Sequence, residues 1–320
     1  MDVSALGNTF FFQWEVDLTE WFQHLLNGGF GTTLTKVFTF IGGEKFSLIM
    51  LLIIYFCYKK TVARRVSIPL MASTLWFPMI KCVVLRLRPY MVHPDRVQMW
   101  ELPEADAHPM DVVQQGYSMP SGHSAMSLAL YGSLAAEVKK RWMWCVAIIL
   151  PLLVGICRFI VGVHYPTDVL AGWGIGLLAL AFGAAMQKYV PKEWVRFAIL
   201  GLVTIPGIFW CTSRDYFSGL GALLGLFAAL AFEQKFVKFE DTRKWLFMVL
   251  RILGACVIYF GLDKLMKMPF STEFLNSGSL SANLVRTARY MVTVFVIMGV
   301  YPMCFRLFHR GENTQTAAKA

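Results

Sequence analysis

The chain reads as an all-α polytopic membrane bundle of about nine spans. Of its 320 residues, 57% are hydrophobic and 16% charged, with a mean hydropathy of +0.54. A soluble domain is about 45–50% apolar and about 25% charged, so the excess apolar surface calls for many spans rather than one large core. Lysines and arginines cluster in every second loop between apolar runs, which is the pattern of membrane topology. The net charge of +10 therefore does not imply a nucleic-acid partner, because the basic residues sit in short clusters rather than along a groove. The bilayer itself is the expected partner.

The elements follow in order. Residues 14–26 form a helix expected to lie on the membrane surface, with Trp14, Leu18, Trp21, Phe22, Leu25 and Leu26 on one face and Asp17 and Glu20 off it. Apolar spans are expected near 44–58, 66–87, 121–138, 142–162, 166–187, 195–212, 216–233, 245–261 and 288–308. The basic groups Lys59/Lys60/Arg64/Arg65, Lys139/Lys140/Arg141, Lys188/Lys192/Arg196, Lys235/Lys238/Arg243/Lys244 and Arg306/Arg310 mark cytoplasmic ends. An odd number of spans then joins an outer N-terminus to an inner C-terminus. Four regions result: an extracytoplasmic segment 1–43, a membrane core 44–190, additional C-terminal helices 191–310 and a disordered cytoplasmic tail 311–320. No basic n-region with an apolar core and cleavage site opens the chain, so no removed signal peptide is expected. The seven cysteines show no paired spacing, and neither a disulfide nor a Cys-based metal site is expected.

Three short stretches on the predicted outer side carry chemistry. A charge in hydrocarbon costs roughly 2.5–3.5 kcal/mol, so cations clustered at span ends call for an anionic partner. In Lys81-Cys-Val-Val-Leu-Arg-Leu-Arg88-Pro89, Lys81 and Arg88 are two helical turns apart and so are expected to project from the same helical face, while Arg86 lies about 140° around and reads as an anchor with a supporting role. Pro89 stops that helix. In Pro120-Ser121-Gly122-His123, a helix N-terminus offers free amides to an anion, with the Ser121 hydroxyl as a further donor and Gly122 allowing close approach. His123 is then placed to protonate a leaving oxygen. In the third stretch, Arg158 ends one span, His164 occupies the turn before Pro166, and Asp168 falls in the first turn of the next span. The aspartate can fix the imidazole tautomer and leave the other nitrogen as a nucleophile, or simply cap the helix.

Together these stretches resemble the type 2 phosphatidic acid phosphatase family, whose pattern is K-x6-R-P, then P-S-G-H, then S-R-x5-H-x3-D. The resemblance covers roughly residues 66–187. It implies a metal-independent lipid phosphatase with a six-span helical core and a phosphohistidine intermediate, needing no cofactor. It assigns Lys81, Arg88, Ser121, Gly122 and Arg158 to the substrate phosphate, His164 as nucleophile, His123 as general acid and Asp168 as the partner of His164. The chain departs from the pattern at Cys157, where the family has serine, so weakened or rearranged phosphate contacts are expected. It departs again in the extra membrane region 195–310. A lipid phosphotransferase or a lipid-phosphate binder would use the same cationic pocket, although binding alone needs no nucleophile. The acidic loop residues Glu101, Glu104, Asp106, His108 and Asp111 lack compact metal-ligand spacing and are expected to be solvated.

Overall fold

A computed structural model of the protein describes residues 3–100, 107–242 and 244–305. Within them every regular element is a helix, and the only strand-like pairing is an isolated bridge between Asn8 and Arg86. The helices are α1 (Gln13–Leu25), α2 (Gly29–Gly42), α3 (Glu44–Ile53, continued by a π turn to Tyr58), α4 (Lys60–Val84), α5 (Pro89–Val92), α6 (Val112–Gln115) and α7 (Gly122–Val138). They continue with α8 (Arg141–Ile160), α9 (Pro166–Tyr189), α10 (Glu193–Thr204), α11 (Arg214–Phe232), α12 (Trp245–Lys267), α13 (Thr272–Asn276) and α14 (Leu280–Phe295).

Six of these segments are long and apolar enough to span a bilayer, and α2 with α3 would form a seventh, bent by 54° at Gly43. This is an integral membrane protein. The expected count of nine spans is not confirmed. The run 121–138 forms a 17-residue helix, and 195–212 forms a 12-residue helix followed by a 3-10 turn. Helix α7 owes its brevity to its place inside the bundle, packed by α4, α8 and α9 and rich in Ser, Ala and Gly. Helix α2 was not expected at all, since Gly29, Gly31 and four threonines weaken the helical signal over 29–42.

Small residues set how closely the central helices approach. A Cβ on Gly172 would lie 2.4 Å from the Ser121 carbonyl oxygen, and one on Gly176 would lie 2.9 Å from that of Ala125. The α9 backbone thus rests directly on the first turns of α7, as membrane helices pack where bulk permits. The C-terminal helices are fastened to the core at the basic end. Buried Glu233 accepts from Lys60 Nζ at 2.8 Å and from Arg64. Beside this clasp, Arg251 Nη1 donates to the Phe56 carbonyl at 3.0 Å.

Helix α1 turns a polar stripe inward. Glu15, Thr19 and Gln23, four residues apart, are buried, while Trp14, Trp21 and Leu25 are exposed. Helix α1 splits its expected apolar face, since Leu18, Phe22 and Leu26 pack against the buried cluster of Phe159, Ile160 and Val169. Its inner face is the unexpected part, because Gln23 Nε2 donates to the Gln98 and Ile160 carbonyls at 2.6 and 2.7 Å.

Candidate active site

The C-terminal ends of α4 and α8 and the N-terminal ends of α7 and α9 meet at one end of the bundle, opposite the basic loops. All three motif stretches lie there.

The first departs from the expected helix. Helix α4 stops at Val84, and Leu85 takes a left-handed φ of 56° while its N–H closes on the Lys81 carbonyl at 2.9 Å. Residues 85–88 then run extended between two partners. Asn8 pairs with the Leu85 carbonyl and the Leu87 N–H, each at 2.8 Å, and Ser118 N–H donates to the Arg86 carbonyl at 2.7 Å. Lys81 and Arg88 therefore do not share a helical face, and Pro89 starts the one-turn α5 rather than ending α4. Arg88 is buried and donates to three backbone carbonyls, those of Gly116 (2.9 Å), Val163 (2.9 Å) and Gln115 (2.7 Å). Three of its five donors thus lock it into the loops around the site. Lys81 is buried with its ammonium 5.4 Å from the Phe77 ring centre.

In the second stretch Ser121 is the N-cap of α7. Its Oγ accepts from the Ser124 hydroxyl at 2.9 Å, and its N–H donates to the Asp168 carbonyl at 2.9 Å. Gly122 lies against Phe77, whose ring a Cβ would meet at 2.8 Å. His123 faces the break between α2 and α3, where a Cβ on Gly43 would lie 3.4 Å from its Nε2.

In the third, Arg158 is buried and Nη1 donates to the Thr39 hydroxyl at 3.1 Å. His164 is buried, with Nδ1 3.7 Å from Asp168 Oδ2, an approach longer than a hydrogen bond. Burial pushes its pKa well below the ordinary imidazole value, helped by the positive charges of Arg88, Lys81 and Arg158, so it is neutral at pH 7. Asp168 is fully engaged. Oδ2 accepts from the Ser118 hydroxyl and from Tyr165 N–H at 2.7 Å, and Oδ1 accepts from Arg86 at 2.7 Å. It is the N3 residue of a capping box on α9, and its Oδ2 lies 3.7 Å from His164 Nδ1.

Arg86 is a correction. The anchor is overturned but the contact with a candidate site residue is as expected: its side chain is 0% exposed and bridges Asp168 and Glu15, each at 2.7 Å, between the rings of Phe10 and Tyr165. The pattern reading also missed Glu15, Thr39 and Ser118, which come from outside the motif stretches. Glu15 alone left a signal, as the first residue of the polar stripe on α1. The loop acids Glu101, Glu104 and Asp106 and the tail 311–320 lie outside the described residues. Asp111 caps α6 through the Val113 and Gln114 amides.

His123, His164, Lys81, Arg88, Arg158 and Asp168 thus gather at one end of the bundle as a candidate site for an anionic ligand. Residues 46–192 match the PAP2 superfamily model, and 217–313 match its transmembrane extension, described as that of a PAP2 superfamily phosphatase. The chain is 30% identical over 159 residues to an undecaprenyl-diphosphatase of Sulfolobus acidocaldarius, covering 48% of this chain and 70% of that protein. It is 36% identical over 76 residues to a phosphatidylglycerophosphatase B of Bacillus subtilis, covering 21% of this chain and 37% of the relative. The chain belongs to the PAP2 superfamily, and as a member it is a lipid phosphatase. No solved structure matches it.

Proposed function

We propose that the protein dephosphorylates a membrane lipid phosphate or diphosphate through a phosphohistidine formed on His164. The observation that carries this reading is the buried His164–Asp168 approach of 3.7 Å beside Lys81, Arg88 and Arg158. With Nδ1 turned to the aspartate, Nε2 is the nucleophile. It attacks phosphorus in line as the bond to the leaving oxygen breaks, and His123 donates its proton to that oxygen. The cations and the first amides of α7 hold the equatorial oxygens. His123 then removes a proton from the water that splits the N–P bond and releases inorganic phosphate. Lys81, Arg88, Ser121, Gly122 and Arg158 are the phosphate-binding set, and no metal takes part.

The relatives' names favour an isoprenyl diphosphate or phosphatidylglycerol phosphate, with phosphatidic acid of the same chemistry. The basic loops at the opposite end support an active site on the outer face and a cytoplasmic C-terminus, in a bacterial inner membrane. Phosphate release from a panel of lipid phosphates in detergent, with EDTA present, tests the reading. Activity is expected for at least one lipid diphosphate, and His164→Ala is expected to abolish it in a folded, inserted protein. Full activity in that variant ends the proposal, as does an absolute requirement for added divalent metal. Phosphate transfer to a second lipid instead of release would mark a phosphotransferase.

A further inference from the structure

Asp168 presents a difficulty for a reaction in which positive charge develops on His164. Its carboxylate is bound by a fully buried arginine, which neutralises it. A neutral Arg86–Asp168 pair would do little to stabilise an imidazolium 3.7 Å away.

The N-terminal helix resolves this. Glu15 of α1, also 0% exposed, pairs with the other guanidinium nitrogen of Arg86 at 2.7 Å. Its second oxygen accepts from the Thr167 N–H at 3.1 Å and from the Thr167 hydroxyl, and that hydroxyl accepts from Arg86 Nη1 at 2.7 Å. Two carboxylates thus flank one guanidinium, and the cluster keeps one net negative charge in a dry site. Resting on the phosphohistidine reading of the site, we infer that Glu15 is a positioning residue for catalysis: acting through Arg86, it maintains the negative charge behind His164 and holds Asp168 in register with it. The amphipathic helix is then part of the catalytic apparatus as well as a membrane-surface element. Its attachment fits that role. Asn8 pairs with residues 85 and 87, the Phe10 carbonyl accepts from Arg86 Nε at 2.9 Å, and Arg96 of the loop after α5 is held by Asp17 and Glu20.

The test is steady-state kinetics on purified full-length protein with a water-soluble isoprenyl diphosphate, alongside thermal unfolding. Glu15→Gln keeps the shape but removes the charge and one of the two acceptor oxygens. Its kcat is expected to fall about tenfold or more with KM within about twofold, the pattern of an interaction made chiefly in the transition state. Glu15→Asp, which keeps the charge, is expected to recover most of the lost rate. A folded Glu15→Gln protein with wild-type kcat overturns the inference, as does an equal loss of kcat in Glu15→Asp and Glu15→Gln. Should Glu15→Gln fail to fold, Thr167→Val removes the hydroxyl between Arg86 and Glu15 without changing side-chain volume. It is expected to lower kcat severalfold at constant KM, and unchanged kcat overturns the inference equally. The underlying reading is checked separately on unaltered protein, by alkaline-quench trapping of an alkali-stable, acid-labile phosphoenzyme. Its absence removes that reading, whereas a trapped phosphoenzyme with a Glu15 variant of normal kcat removes only the role given to Glu15.

Discussion

Arg86 and Asp168 meet at 2.7 Å with neither side chain exposed, and this pair ties the extended segment after α4 to the first turn of α9. Each reaches the other across 82 residues of sequence. The Arg86→Ala substitution strands two carboxylates in a dry site. It is expected to destabilise the protein by about 3–5 kcal/mol, measured as thermal unfolding in detergent. Arg86→Lys, which keeps the charge but not the fork, should retain more of that stability and still lose activity.

Thr39 holds the guanidinium of Arg158 from the break between α2 and α3. Thr39→Val is expected to raise KM about fivefold, for the loss of about 1 kcal/mol of hydrogen bonding, with little change in kcat. Initial-rate kinetics across substrate concentration decide it, and an unchanged KM would remove Thr39 from substrate binding.

His164 carries a pH signature. Its folded pKa lies well below the unfolded imidazole value of about 6.5, so the unfolded chain binds a proton that the folded protein refuses. Above about pH 6.5 both states are neutral at this residue and it contributes no slope. As pH falls through that value toward the folded pKa, stability is lost. Unfolding temperatures between pH 7.5 and 5 should therefore fall more steeply in the wild type than in His164→Gln. Parallel curves would show that His164 is not the group responsible.

Gly172 bears on both architecture and chemistry, because the atom it touches is the Ser121 carbonyl at the start of α7. Gly172→Ala forces α9 and α7 apart and is expected to cost about 1–3 kcal/mol of overpacking. It should also cut turnover by displacing Ser121 and His123 relative to His164. Gly174, whose Cβ would meet nothing within 4 Å, is the control, and Gly174→Ala should be near neutral in both assays.

Much of the site was legible because its chemistry is local. The spacing of His164 and Asp168 is one helical turn, and both the cap and the imidazole approach followed from it. Ser121 was readable as a helix start because a serine before a small-residue helix caps it. The helix expected to carry Arg86 and Arg88 stops early at Val84 for the opposite reason. The apolar run through Leu87 gives no sign that Leu85 turns left-handed, since the partners that pair with residues 85–88, Asn8 and Ser118, are remote in sequence.

The sequence by itself determined the all-helical membrane class, the end of the bundle that gathers the motif residues, and the family, because hydropathy and short-range spacing carry those. Tertiary structure alone decided the partners of Asp168, the bend at Gly43 that brings Thr39 to Arg158, and the place of Glu15 beneath the site. Buried charges choose counterions by proximity in space, and no periodicity along the chain records that choice.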